Sequence, residues 1–166
     1  MKRRIKHLIP FAVVVMMTII TACSSIDCPL NNTVYTNYKL MKANMTPDTL
    51  RDTLYVLTAR PMTTDSLLIN RNLNTTSLKL PISYTNDEDV LYFYIKPAEG
   101  RSTIDTIRIA KTNTPHFESV DCAASYFHEI TNVTTTHNRI DSVVVKDKIV
   151  NYDAKDNFYI YFKARN

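Results

Sequence analysis

From about residue 33 to residue 163 the chain alternates apolar and polar positions with a period of two. Leu78, Leu80, Ile82 and Tyr84 alternate with Ser77, Lys79, Pro81 and Ser83, which predicts a strand with one buried and one wet face. Val90 to Ile95 is a continuous apolar and aromatic run, as in a central strand. Phe158, Ile160 and Phe162 share one face; so do Val143 with Val145 in 140–146, and Ile107 with Ile109 in 103–111. Further strands are predicted over 33–40, 53–59, 66–70, 116–121 and 126–136. No stretch sustains apolar spacing at i, i+3, i+4, i+7 over three turns; Pro47 and Asp48 suggest one short helical turn within 40–51.

Some ten short strands rich in Thr and Tyr predict an all-β fold: a single antiparallel β-sandwich, immunoglobulin-like, with a β-barrel as the alternative. Gly100 is the one glycine, so turns must rest on Asn, Asp and Pro, as at Asn70-Arg71-Asn72, Asn86-Asp87, 113–115 and 151–157. The same scarcity excludes Gly-rich phosphate cradles and a GxSxG nucleophile turn. Tyr35, Tyr55, Tyr92, Tyr94, Tyr159 and Tyr161 are expected on outer sheet faces, as sheet cover or as a binding platform.

The first 22 residues break this pattern. Lys2, Arg3, Arg4 and Lys6 precede an apolar run from Leu8 to Ile20, and Ile20-Thr21-Ala22-Cys23 follows. Basic, apolar and small-residue segments in that order are the layout of a secretory signal. The run is about 13 residues, short of the roughly 20 that span a bilayer. With Cys directly after the small residue, the segment resembles a bacterial lipoprotein signal, which implies cleavage before Cys23 and lipidation of Cys23. The expected organisation is signal peptide 1–22, lipid-anchored tether 23–27 and one β-sandwich domain 28–166. The net charge of +4 then belongs to the signal; the mature chain has 16 Lys+Arg against 16 Asp+Glu. That neutrality gives no support for a nucleic-acid partner.

With Cys23 lipidated, Cys28 and Cys122 remain. An exported protein permits a disulfide between them, and two unpaired cysteines are the alternative. A bridge would close a loop of 94 residues and set the anchor only five positions before the domain.

Asp-Ser/Thr-aliphatic recurs at Asp48, Asp52, Asp65, Asp105 and Asp141, five of the twelve aspartates. One reading is local: the carboxylate ends a turn and a strand begins. The tripeptide also resembles the acceptor motif of periplasmic O-glycosylation in Bacteroidota, which implies Thr49, Thr53, Ser66, Thr106 and Ser142 as acceptors. Four Asn-x-Ser/Thr sequons, at Asn31, Asn44, Asn74 and Asn132, reflect only an Asn- and Thr-rich chain.

Metal chemistry finds little footing. Asp87-Glu88-Asp89 is acidic enough for calcium, but three adjacent carboxylates do not converge on one ion, and Asp153 with Asp156 are no better placed. His116, Glu118 and Cys122 would share a face of an extended strand, with His128 and His137 on the next segment. Zinc needs three or four convergent ligands, and polar surface with one buried histidine is the simpler reading. No metal, no cofactor and no catalytic residue is expected. Carboxylate pairs for glycoside hydrolysis are not singled out.

Cys23 to Tyr35, Thr112 to Cys122, Asn138 to Val144 and Asn157 to Lys163 together resemble an uncharacterised domain-of-unknown-function family of small Bacteroidota lipoproteins. Both remaining cysteines lie in these motifs, which favours the disulfide. The resemblance carries no catalytic residues. It implies an envelope lipoprotein that binds a protein partner or supports the envelope, attached to the membrane through its lipid. The alternatives are a glycan-binding accessory module for an outer-membrane importer and, behind it, a hydrolase. Ser24-Ser25-Ile26-Asp27 holds one acid where surface-exported Bacteroidota lipoproteins carry a cluster, so the expected location is the outer membrane, facing the periplasm.

Overall fold

The computed structural model describes residue 28 and residues 33–60 and 64–164. The signal peptide 1–22, Cys23, the tether 23–27 and Asn31 lie outside the described residues. Ten strands form: β1 (Tyr35–Met41), β2 (Thr53–Thr58), β3 (Ser66–Asn72), β4 (Ser77–Pro81), β5 (Glu88–Lys96), β6 (Thr103–His116), β7 (Ser125–Thr135), β8 (Ile140–Val145), β9 (Ile149–Val150) and β10 (Phe158–Phe162). They build a β-sandwich from a four-stranded sheet, β4-β1-β10-β8, and a six-stranded sheet, β3-β2-β5-β6-β7-β9. All pairings are antiparallel except β1 with β10, so the expected all-antiparallel arrangement is broken once.

Alternation made these strands and alternation fills the core. β5 buries Leu91, Phe93 and Ile95 and turns Tyr92 and Tyr94 outward. Across the gap, Tyr38 of β1 stacks on Phe158 of β10 at 4.8 Å between ring centres and meets Phe93 at 6.4 Å. These three rings tie the sheets together. Burial pushes the Tyr38 hydroxyl well above its ordinary pKa, and Thr36 Oγ1 donates a hydrogen bond to it at 3.2 Å. The Tyr residues expected on outer faces lie there half-buried, as with Tyr55 packed edge-on against Tyr94.

Several expectations fail for local reasons. No helical turn forms in 40–51: Pro47 instead makes an isolated bridge to Met41, and Leu50 one to Thr75. The predicted strand over 116–121 is absent, because β6 runs on to His116 and the chain then loops to Cys122. Asn70-Arg71-Asn72 is no turn but the end of β3; Arg71, at φ 54°, takes up a register shift between Leu54 and Val56 of β2. Asn74 holds a left-handed conformation as expected of Asn, but Met45 and His137 do so too. Tyr84 is not the inward end of a strand: β4 stops at Pro81, Ile82 stays buried, and Tyr84 lies 59% exposed.

Two polar residues hold crossovers between the sheets in the later part of the chain. Asp105 of β6 is fully buried, and its carboxylate accepts the backbone N–H groups of Asn138, Arg139 and Ile140 at 2.6, 2.7 and 2.8 Å, plus the Thr136 hydroxyl at 3.0 Å. That corner is where the chain leaves β7 in one sheet for β8 in the other. Asn157, also buried, accepts the Asn37 N–H on its Oδ1 at 3.0 Å and donates through Nδ2 to the carbonyls of Asp147 and Ile149.

Cys28 and Cys122 form a disulfide, with Cα atoms 5.5 Å apart. It closes 94 residues, for which the chain-entropy model gives about 4–5 kcal/mol.

Two stability predictions follow from these contacts. Replacing Asp105 with Asn turns an acceptor oxygen into an NH2 group facing backbone donors; the expected loss is about 3 kcal/mol by urea unfolding, with β8 and β10 amides exchanging first. The paired Cys28→Ser and Cys122→Ser variant should lose about 4 kcal/mol in the same assay, and reduction of the parent protein should match it.

Candidate functional site

The inward face of β6 is apolar in the middle and polar at both ends. Asp105 closes one end, Ile107 and Ile109 fill the centre, and Lys111 with Asn113 form the other end. Lys111 sits in the buried series because it keeps the parity of Ile107 and Ile109 along β6. Its Nζ lies 3.5 Å from Asp89 Oδ2 on β5 and donates to the Asn86 carbonyl. Asp89 Oδ2 also accepts the Ser83 N–H at 2.9 Å. Burial pushes the Asp89 carboxyl up, against the Ser83 N–H and the Lys111 charge, which pull it down.

The hydrogen-bond polarity around Asn113 is forced. A carbonyl oxygen can only accept, so the Asn86 carbonyl fixes Asn113 Nδ2 as its donor, at 3.0 Å. Asn113 Oδ1 therefore faces His128 across the β6–β7 ladder, 2.7 Å from Nδ1. His128 must donate from Nδ1, which leaves Nε2 as a bare lone pair. Burial, then the neighbouring Lys111 charge, push the imidazole down to about 4, so it is neutral near neutral pH. Among the described residues Nε2 has no hydrogen-bond partner.

The His128 ring lines a cleft of about 530 Å³. Val34 and Ile82 give it an apolar floor, Ser83 a hydroxyl, and Tyr84 and Tyr126 a wall. The two Tyr rings stack at 4.8 Å between centres, 15° from parallel, and Tyr84 keeps an outer face free. Ala124, two residues past Cys122, completes the rim, so the disulfide loop borders the cleft. At the other end of β6 lies a smaller hollow of about 310 Å³ beside Arg51, Arg139 and Lys163. Two of these cations are engaged: Arg139 donates to the Lys163 carbonyl and stands 4.0 Å from Asp52, and Lys163 Nζ donates to the His137 carbonyl at 2.5 Å.

The residues singled out from sequence are scattered. Glu88 pairs with Arg108 at 2.9 Å while Asp89 turns inward to Lys111, so the 87–89 carboxylates diverge. Asp153 pairs with Lys155 and Asp156 with Lys39. With no strand over 116–121, His116 and Glu118 meet each other at 3.1 Å and Cys122 is in the disulfide. No group of three or more His, Cys, Asp or Glu that would hold a metal occurs among the described residues. The buried histidine is His128; His137 is exposed.

Of the five O-glycosylation positions, Thr49 is exposed in a loop, and Thr53, Ser66, Thr106 and Ser142 are half-buried in strands. Asp52 and Asp65 do precede strands, whereas Asp105 lies inside β6 as the corner clamp. Tyr84, Tyr126 and the pairing of Lys111 with Asp89 were not legible as a site. The one available signal was Lys111 itself, a charge in register with Ile107 and Ile109.

Between the ordinary histidine value of 6.5 and about 4, the unfolded chain takes up a proton that folded His128 refuses. Stability should therefore fall as pH drops through that window. Asp89, held up, works the opposite way, since the folded state accepts its proton first. The His128→Gln variant should be less acid-sensitive than the parent by about 2 kcal/mol between neutral pH and the low end of the window, read from urea unfolding midpoints.

Neither the curated proteins nor the solved structures contain a match to this chain. A family model does match, over residues 53–162, from β2 to the end of β10 and so across Asp105, Lys111 and His128. The chain belongs to the family of unknown function DUF6452.

Proposed function

We propose that this protein is a non-catalytic binding module of the bacterial envelope, lipid-anchored at Cys23 to the outer membrane and facing the periplasm, as in a Bacteroidota lipoprotein. Its ligand seat is the cleft between Tyr84, Tyr126 and His128. The observation that carries this reading is the composition of that cleft: a rigid aromatic wall with a free ring face, above a neutral imidazole nitrogen that can only accept. A ligand that satisfies both has a flat apolar face and hydroxyl donors, and no net charge. Sugar rings have that chemistry, so the glycan-binding reading gains over a purely structural role. None of the residues lining the cleft is a carboxylate, which leaves two-carboxylate hydrolysis without its groups there. O-glycosylation remains part of the proposal, with Thr49 the best-exposed acceptor.

The test is a neutral-glycan array probed with the mature protein, followed by calorimetry on the glycans retained. Tyr84→Ala should weaken binding at least about tenfold, since it removes the exposed stacking face, without lowering stability. Binding that survives both Tyr84→Ala and His128→Gln would move the seat elsewhere. Cys23→Ser should abolish labelling with an alkyne palmitate and release the protein from membranes; unchanged labelling would remove the anchor from the proposal.

A further inference from the structure

We infer that the loop 117–124 is a membrane-contacting tip, in which Phe117 and Val120 enter the headgroup region of the bilayer beside the lipid anchor. The inference rests on the anchored reading of Cys23 and adds the surface through which the domain meets the membrane.

Val120 is 96% exposed, more than any other large apolar side chain among the described residues, and Phe117 is 62% exposed. Single exposed apolar residues are ordinary. These two share one loop, and the loop has a particular address. The Cys122 N–H donates to the Ser119 carbonyl at 3.2 Å, a tight turn that leaves Val120 and Asp121 at its apex. The base of the loop is braced: His116 stacks on Phe127 at 4.2 Å, and Phe127 packs edge-on against Tyr152 at 5.1 Å. Val120 is thus held out on a supported turn.

The disulfide decides what the turn faces. Cys122 is bonded to Cys28, which lies only five positions along the chain from the proposed anchor at Cys23. Five residues reach at most about 17 Å, too little for a stalk. The polar interface of a bilayer is itself several ångströms deep, about 5–7 Å on each side of the hydrocarbon. The loop next to Cys122 is therefore the first part of the folded domain to meet the membrane, and it presents two apolar side chains there. Burying them in the interface recovers apolar surface that otherwise stays in water.

Charge selects the kind of lipid. Residues 117–124 carry Glu118 and Asp121 and no Lys or Arg. Glu118 is paired with His116, and Asp121 stands at the apex. An anionic surface would repel this loop, so the partner is a zwitterionic one, of the phosphatidylethanolamine kind.

The chain contains no Trp, so Val120→Trp supplies a single reporter at a position where the fold has nothing to lose. The control is Ile104→Trp, 51% exposed near the other end of β6, about 40 Å along the strand. Both variants are prepared as the mature lipidated protein in phosphatidylethanolamine–phosphatidylcholine vesicles, and flotation establishes that each is anchored. In floated protein, the Trp at 120 should emit to the blue and be quenched by acyl-chain-brominated lipid about twofold more than the Trp at 104. Raising the anionic lipid fraction should reduce that difference. Protein that floats while its Trp at 120 stays as water-exposed as the Trp at 104 overturns the inference, and would mark the loop as a surface for a protein partner instead. Protein that does not float overturns the anchor, and the inference with it.

Discussion

The Asp105 carboxylate holds the corner between β7 and β8, one of the places where the chain passes from one sheet to the other. Three successive N–H groups converge on it from Asn138, Arg139 and Ile140, and β8 starts at the third. The acceptor is fully buried and the Ile140 donor with it, so a carboxylate with two oxygens is what makes the crossover affordable. Once β8 is fixed, it pairs with β10, β10 pairs with β1, and Tyr38 and Phe158 come together over Phe93. The apolar core supplies most of the favourable free energy. The carboxylate decides which pair of sheets that core is folded between.

The far end of the same strand shows what a polar interior can do when it is not sealed. Lys111 is as buried as Ile109, yet it opens a chain of obligatory polarity. The Asn86 carbonyl orients Asn113, Asn113 sets the His128 tautomer, and His128 is left with an unused lone pair at a cleft. At the Asp105 end one buried carboxylate takes up three backbone N–H groups and the Thr136 hydroxyl. At the Lys111 end one acceptor has no partner among the described residues, and two Tyr rings stand beside it. That asymmetry along one strand is the physical content of the proposed binding site.

The disulfide links the two halves of this picture. Cys122 lies between the apex at Val120 and the rim residue Ala124, so one bond braces the loop on one side and borders the cleft on the other. With Cys23 as anchor, the cleft would sit near the membrane face of the domain and the Asp105 corner at its distal end, about 30 Å away along β6.

Period-two alternation by itself determined the strands, because which face of a strand is buried is written in its side chains. Leu91, Phe93 and Ile95, and Ile107 and Ile109, lie inside as their pattern requires. Only the expectation that Cys23 carries lipid narrowed the three cysteines to one possible bridge, Cys28 with Cys122. Alternation fails where burial no longer tracks polarity: it sent Tyr84 inward, and although parity sets Asp105 and Lys111 in line with Ile107 and Ile109, and Asp89 in line with Leu91, their charge argued against burial. It also misread 116–121, where β6 runs long and the disulfide pulls the chain aside. The parallel β1–β10 pair and the meeting of Tyr84 with Tyr126 join residues 42 or more positions apart. Only tertiary structure decides these, since a local pattern states which way a side chain faces and not which distant neighbour it will find there.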